Sequence, residues 1–275
     1  MGQGADQADR RTHGPRLLFV LLLLSGCGQP PPEIAELSGG TMGTSYSIKL
    51  SPAPPVSRLD ELQRSVERRL ETINRQMSTY RPDSDLMRFN RSADTDWQAQ
   101  PAAIVELVER ASAISVLSDG RYDVTVGPLV NLWGFGNSGE RESAPAADEV
   151  RETLARVGHR QLETRSRPPG LKKNHPQLEV DLSSIAKGWA VDQLAELVQS
   201  AGFRDFLVEI GGELRAHGQK APGVPWRIAI EQPSYEARMV QRIIALQDVA
   251  MATSGDYRNF FTDNGQRYSH TIDPK

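Results

Sequence analysis

Leu59, Leu62, Val66, Leu70, Ile73 and Met77 recur every three or four residues, so a helix over this stretch carries one continuous apolar stripe that must be buried. Prolines at 52, 54 and 55 set a turn before it, and Ser57, with Asp60 three residues on, reads as its N-cap. A second helix follows Pro101, carrying Ile104, Leu107, Val108, Ala111 and Ile114, and stops at Asp119-Gly120. Residues 147–157 read as a short amphipathic helix and 184–200 as a further one, ending before Gly202. One alternating stretch, 45–50, comes early. The other strand-like runs come late: 177–181, 206–210 closed by Gly211-Gly212, 226–231, 240–246, and 248–253 leading into Ser254-Gly255. Helices first and strands afterwards, with few helices between them, predict an α+β fold with a largely antiparallel sheet and flanking helices rather than a doubly wound one.

The amino end reads as an address. Arg10, Arg11 and Arg16 precede an apolar run over residues 17–24, followed at once by Ser25-Gly26-Cys27. Eight residues span about 12 Å as a helix, against about 30 Å for a bilayer core, so the pattern predicts a secretory signal and not a membrane span. Its end resembles the bacterial lipoprotein signal, in which the cysteine is lipidated and becomes the first mature residue. Residues 1–26 are thus read as a signal peptide, 27–37 as a proline-bearing tether on a lipidated Cys27, and 38–275 as one domain. The expected location is the cell membrane, lipid-anchored on the periplasmic, extracytoplasmic side. Cys27 is the only cysteine of the 275 residues, which excludes an intramolecular disulfide and any cysteine-cluster metal site. With 32 Lys+Arg against 35 Asp+Glu the net charge is −3, and no basic stripe is present to displace counterions, so no nucleic-acid partner is expected.

Familiar phosphate motifs fail on context. The GFGNSG stretch at 134–139 spells GxGxxG but is followed by charged residues and Pro145, so no helix N-terminus opens for a pyrophosphate. There is no P-loop and no GxSxG elbow. Four other segments carry chemistry. Gly39-Gly40-Thr41-Met42-Gly43-Thr44 is either a plain turn or a close backbone approach beside a pliable methionine. Tyr80, after Met77-Ser78-Thr79, is either an ordinary surface tyrosine or a stacking platform. Asp123 sits in a β-branched run after Tyr122, where a buried carboxylate needs a partner. Asp181-Leu182-Ser183-Ser184 delivers an aspartate to a helix start, with Lys187 in the first turns. This reads either as simple capping or as an anion site whose turn carbonyls suit a hard cation such as Mg2+. A polar tail at 252–258 and 269–274 has similar character.

Together, TMGTSY from Thr41, MSTY with SDLMRFN, YDVTVGPLVNLWGFG, VDLSSIAKGWAVD with VEIGGELRAHG, and ATSGDYRNFF with SHTIDP resemble the ApbE family, the FAD:protein FMN transferases formerly called thiamine-biosynthesis lipoproteins. The resemblance implies a single T-fold-like domain that binds FAD and Mg2+. The family passes FMN through its phosphate to a threonine hydroxyl of a target protein and releases AMP; the targets are redox-pump subunits with extracytoplasmic flavin domains. Carried over by position, Met42, Tyr80, Arg121, Tyr122, Asp123, Asp181, Lys187 and Met251 line the FAD site. Ser184 offers a main-chain oxygen to the metal, and His270 is an acid/base or orienting group. Family members continue past the Asp-Pro pair into a segment with the remaining metal ligands, so the C-terminal part of the domain is read as missing here. Two further readings share the same pocket: a periplasmic FAD pyrophosphatase, with water as acceptor, and a noncatalytic FAD-binding lipoprotein.

Overall fold

The structure, a computed structural model, describes Met1 and residues 32–137, 139–234 and 239–275. The signal peptide, Cys27 and the first part of the tether lie outside the described residues. Residues 32–275 form one compact unit. No helix among the described residues is long and apolar enough to cross a membrane.

The chain opens with a hairpin, β1 (Ala35–Thr41) and β2 (Thr44–Leu50). Then follow α1 (Val56–Met77), α2 (Asp85–Arg91), β3 (Gln98–Ala99), α3 (Ala102–Leu117), α4 (Gly127–Leu132) and α5 (Ala147–Leu154). After a second hairpin, β4 (Leu162–Ser166) and β5 (Pro169–Lys173), comes α6 (Ser183–Ser200). Strands complete the chain: β6 (Phe206–Ile210), β7 (Glu213–His217), β8 (Trp226–Glu231), β9 (Val240–Leu246), β10 (Val249–Met251), β11 (Phe260–Asp263) and β12 (Gln266–Ser269). The main sheet runs β1-β2-β6-β7-β10; β3-β5-β4 form a second sheet, and β8-β9 and β11-β12 stand as hairpins. Every described strand pair is antiparallel. The α+β architecture follows from the pattern: Leu62, Val66, Leu70, Ile73 and Met77 of α1 are all buried, each removing about 1.5–3 kcal/mol of apolar exposure.

The main sheet is covered on both faces where β6 and β7 lie. Phe206, Val208 and Ile210 join the large core beneath α1 and α6. Leu207, Leu214 and Ala216 point the other way, into a second cluster closed by Trp226 and Leu246 of the β8–β9 hairpin. The period-two alternation of β6 thus feeds two cores from one strand.

Several local expectations are corrected. Ser57 is not the N-cap of α1. Pro55 takes that position without a side-chain bond, and its carbonyl accepts from Arg58 and Leu59, because the proline turn already sets the entry angle. Residues 177–181 are not a strand. They leave a turn at Gln177, closed by Leu178 N onto His175 O, and continue without a ladder, their backbone groups pairing with Asn90, Lys173 and Val124 instead. The β-branched run after Asp123 turns into α4, where Pro128 in the first turn fits a helix start. A strand, β1, begins at Ala35, inside the stretch read as tether.

Candidate functional site at one end of the main sheet

Three turns meet at one end of the main sheet. Met42 (φ 50°) and Gly43 (φ 73°) form the two-residue turn of the β1–β2 hairpin, the geometry that both-positive φ values give. A side-chain methionine in that region is held there by its surroundings. Met42 is half-buried against the main core, and the neighbouring Thr41 hydroxyl accepts from Asn74 Nδ2 of α1 at 3.2 Å. Gly211 and Gly212 turn β6 into β7. A Cβ on Gly211 would fall 2.7 Å from Thr44 Cγ2, so the two turns touch. Gly212 faces Thr253 just after β10, and Met251 pairs with Leu214, which brings the end of β10 to the same place.

Helix α6 starts beside these turns. Asp181 Oδ1 accepts from Ser183 N at 2.8 Å, satisfying a first-turn amide from one residue ahead of the cap position, which Leu182 occupies. Tyr122 Oη and Ser184 Oγ are 2.9 Å apart. Burial raises the Tyr122 phenol above its ordinary range, the Ser184 bond pulls the other way, and the Asp181 and Asp123 charges add to the rise. One turn along α6, Lys187 Nζ donates to both carboxylate oxygens of Glu213, at 3.0 and 2.8 Å. Glu213 opens β7 directly after the glycine turn, so this pair ties α6 to the sheet end. Ser184, Lys187 and Gly188 share one helix face. A Cβ on Gly188 would meet nothing within 4 Å, and its φ is not positive, so neither packing nor backbone geometry asks for glycine there. Bare backbone at such a point permits close approach of a ligand.

Asp123 lies beneath Tyr122 and points inward. Its Oδ1 accepts from Thr125 N at 2.8 Å and Thr125 Oγ1 at 2.7 Å, and its Oδ2 accepts from His159 N at 2.6 Å. The buried carboxylate expected to need a partner has three, and it shapes the wall behind the site.

The remaining predicted positions are arranged around the loop after α4. Asn137 Nδ2 of that loop donates to Thr79 O at 2.7 Å, next to Tyr80, whose ring is 70% exposed. His270, also exposed, sits edge-on to Phe135 at 6.5 Å, its Nδ1 3.4 Å from the Asn259 carbonyl oxygen. Arg121 is paired with Asp273, and Lys275 with Asp119 at 2.7 Å, so the end of the chain lies along the 119–121 turn. Met42 packs at the sheet end against the core that lies beneath α6, on the side where Lys187 meets Glu213, and Tyr122, Asp181 and Ser184 gather at the start of α6. Met251 reaches the same end of the sheet through β10, but its side chain packs against the second cluster on the other face, so it does not line the site with them. Tyr80 and His270 border the 133–137 loop.

Two cavities lie elsewhere. One, of about 440 Å3, has walls from Leu129, Trp133, Val150, Leu154 and Tyr268. The other is a shallow trough along the charged face of α1, between Arg64 and Thr72. Neither contains Met42, Tyr80, Asp181 or Lys187. The sheet end is the better candidate on chemical grounds, since it alone combines a helix start, a carboxylate, a lysine and a glycine face.

Among the described residues, no group of three His, Cys, Asp or Glu stands together to hold a metal ion. Asp181 and the Ser184 main-chain oxygen, which keeps a second lone pair beyond its helical bond, are hard oxygen donors. They suit a Mg2+ that shares its shell with phosphates and water rather than one held in a protein cage.

Sequence reasoning missed Glu213, Glu179 and Lys173. Glu179 precedes Asp181 by two residues and accepts from Asn131 Nδ2 at 3.3 Å; burial raises its carboxyl, with the Lys173 charge opposing. Lys173 is fully buried, and its place two residues from Leu171 in a hairpin strand is the signal that would have turned it inward.

The fold and this site define an α+β domain in which a helix start, a lysine–glutamate pair and two glycine turns lie together at one end of the main sheet. Comparison with known proteins assigns it. The ApbE family model matches residues 42–275. The FAD:protein FMN transferase of Vibrio cholerae is 48% identical over 259 residues, covering 94% of this chain and 76% of the relative. That of Haemophilus influenzae is 41% identical over 261 residues, covering 93% and 75%. Among solved structures, the flavin transferase ApbE from Vibrio cholerae superposes with a TM-score of 0.80 at 47% identity, over 89% of this chain and 77% of that one. The chain belongs to the ApbE family.

Proposed function

We propose that this protein is a transferase that moves FMN from FAD to a protein acceptor. The observation that carries the reading is the convergence of the Asp181–Ser184 helix start, the Lys187–Glu213 pair and the Met42 turn at one sheet end, in a chain whose relatives bear that enzyme's name. FAD joins two phosphates that crowd negative charge. A helix start and a lysine stabilise such a group through backbone amides and a point charge. A bound Mg2+ would supply neutralisation of the pyrophosphate; Asp181 and the Ser184 main-chain oxygen are the residues that would hold it.

In the finer reading, the acceptor is a threonine hydroxyl. Its oxygen bonds to the phosphorus on the riboflavin side of FAD, the pyrophosphate P–O bond breaks, and AMP leaves with the bridging oxygen. The threonine proton passes to a base, a role assigned to His270. Met42 and Tyr80 flank the flavin, and Arg121 and Tyr122 complete the walls. The acceptor is an extracytoplasmic flavin domain of a redox-pump subunit, and a lipid on Cys27 holds the enzyme at the membrane beside it.

The test incubates the purified chain with FAD, Mg2+ and a threonine-bearing acceptor domain, and weighs the products. An acceptor gaining the mass of FMN less water, abolished by EDTA, supports the proposal. Free FMN and AMP with unmodified acceptor would replace transfer by hydrolysis. Intact bound FAD would reduce the protein to a binding module.

A further inference from the structure

The segment that delivers Asp181 has no ladder partner, and side chains take up several of its backbone groups. Asn90, in the last turn of α2, does part of this with its side-chain amide: Nδ2 donates to Val180 O at 2.9 Å, and Oδ1 accepts from Val180 N at 2.8 Å. Lys173 takes a further carbonyl of the segment, Leu178 O. Its side chain is 0% exposed, and its ammonium has three protons for three carbonyls: Phe89 O at 3.2 Å, Asn90 O at 3.1 Å and Leu178 O at 3.1 Å. Two of these belong to the end of α2, where orphan carbonyls and the helix dipole favour a cation. The Phe89 ring lies 5.1 Å from the same nitrogen. The third, Leu178 O, belongs to the Asp181 segment. Three residues on, Asp181 N donates to Val124 O at 2.7 Å and its carboxylate receives Ser183 N.

We infer that Lys173 is a positioning residue for the FAD site: its ammonium, with the Asn90 amide, fastens the Asp181 turn to the end of α2, and FAD affinity depends on that fastening. A lysine without exposure is costly to bury, so a site that needs only hydrophobic filling would carry methionine or leucine in its place. Burial lowers the Lys173 pKa and the Glu179 charge acts against it; the three carbonyls are what offset the loss of water around the ammonium.

This inference rests on the flavin-transfer reading, and the experiment separates the two. FAD affinity of the full chain is measured by fluorescence for the wild type, Lys173→Met, Asp181→Ala and the double variant. Near-ultraviolet circular dichroism confirms folding, and FAD KM and kcat are read in parallel with the acceptor. Lys173→Met is expected to lose at least tenfold in affinity, as a rise in KM at near-constant kcat. Added to Asp181→Ala it is expected to cost less than twofold more, since both remove one function. Affinity within twofold of wild type, or the full tenfold loss repeated on the Asp181→Ala background, overturns the inference while leaving the transfer reading intact. A wild type that binds no FAD overturns both. Where Lys173→Met does not fold, Asn90→Ala undergoes the same cycle with the same expected and refuting outcomes.

Discussion

Asp123 offers the sharpest test of the wall behind the site. Replacing it with alanine removes the acceptor for two main-chain amides, Thr125 N and His159 N, and for the buried Thr125 hydroxyl. The hydroxyl can turn elsewhere, but the amides cannot. An orphaned buried donor costs about 1–3 kcal/mol. Taking about 2 kcal/mol for the buried Thr125 amide, about 1 for the part-buried His159 amide and a small further cost for the hydroxyl puts Asp123→Ala at about 3–4 kcal/mol below wild type. For a domain of this size that lowers the melting temperature by roughly 6–16 °C. Asp123→Asn keeps one oxygen for Thr125 while opposing an NH2 group to His159 N, so it should lose about half as much. Urea denaturation of the three proteins at neutral pH, fitted with a shared slope, reads these differences directly. If Asp123→Ala costs less than about 1 kcal/mol, the carboxylate is not carrying the two amides and the argument from its geometry is wrong.

Three further outcomes follow from the same region. Lys187→Ala should weaken FAD binding about tenfold, whereas Glu213→Gln, which frees the lysine from its counter-charge, should strengthen it about two- to fivefold at low salt; calorimetric titration checks both, and equal affinities for all three proteins would remove the pair from the site. Gly188→Ala should raise stability by about 0.5–1 kcal/mol through helix propensity while lowering FAD affinity, and a stabilised variant with unchanged affinity would show that nothing approaches that face. Burial pushes the Glu179 carboxyl above its ordinary value of 4.5, with the Lys173 charge opposing. The native state therefore holds its proton longer than the unfolded chain, and stability falls as pH rises from 4.5 through the folded pKa; in Glu179→Gln that fall should vanish, as chemical denaturation across acid to neutral pH will tell.

Much of this was legible in the chain, and the reasons differ by element. The helices α1, α3 and α6 announce themselves because their buried residues repeat at helical spacing over sixteen residues or more. β6 does so as an apolar run stopped by two glycines. β1 escapes because residues up to 37 read as a tether and Gly39-Gly40-Thr41-Met42-Gly43-Thr44 as a turn; there the Tyr46 ring lies so close that a Cβ on Gly39 would fall 2.8 Å from it. α2 and α4 are too short for a period to accumulate and depend on capping by Ser84 and entry through Pro128. The Asp181 turn is visible as a motif, but the 177–181 stretch leading to it reads as a strand, because backbone groups taken up by Asn90 and Lys173 leave the same local pattern as groups paired by a neighbouring strand. Glu213 was invisible for a different reason: its partner Lys187 is 26 positions earlier, and only the folded sheet brings them together.

The glycine turn between β6 and β7, pressed against Thr44 beside Met42, makes the strands a ruler. Each residue of strand is about 3.3 Å of travel and half a rotation, so losing one position from β2 or β6 would slide these contact points apart, and in β6 it would also exchange the residues that feed the two cores.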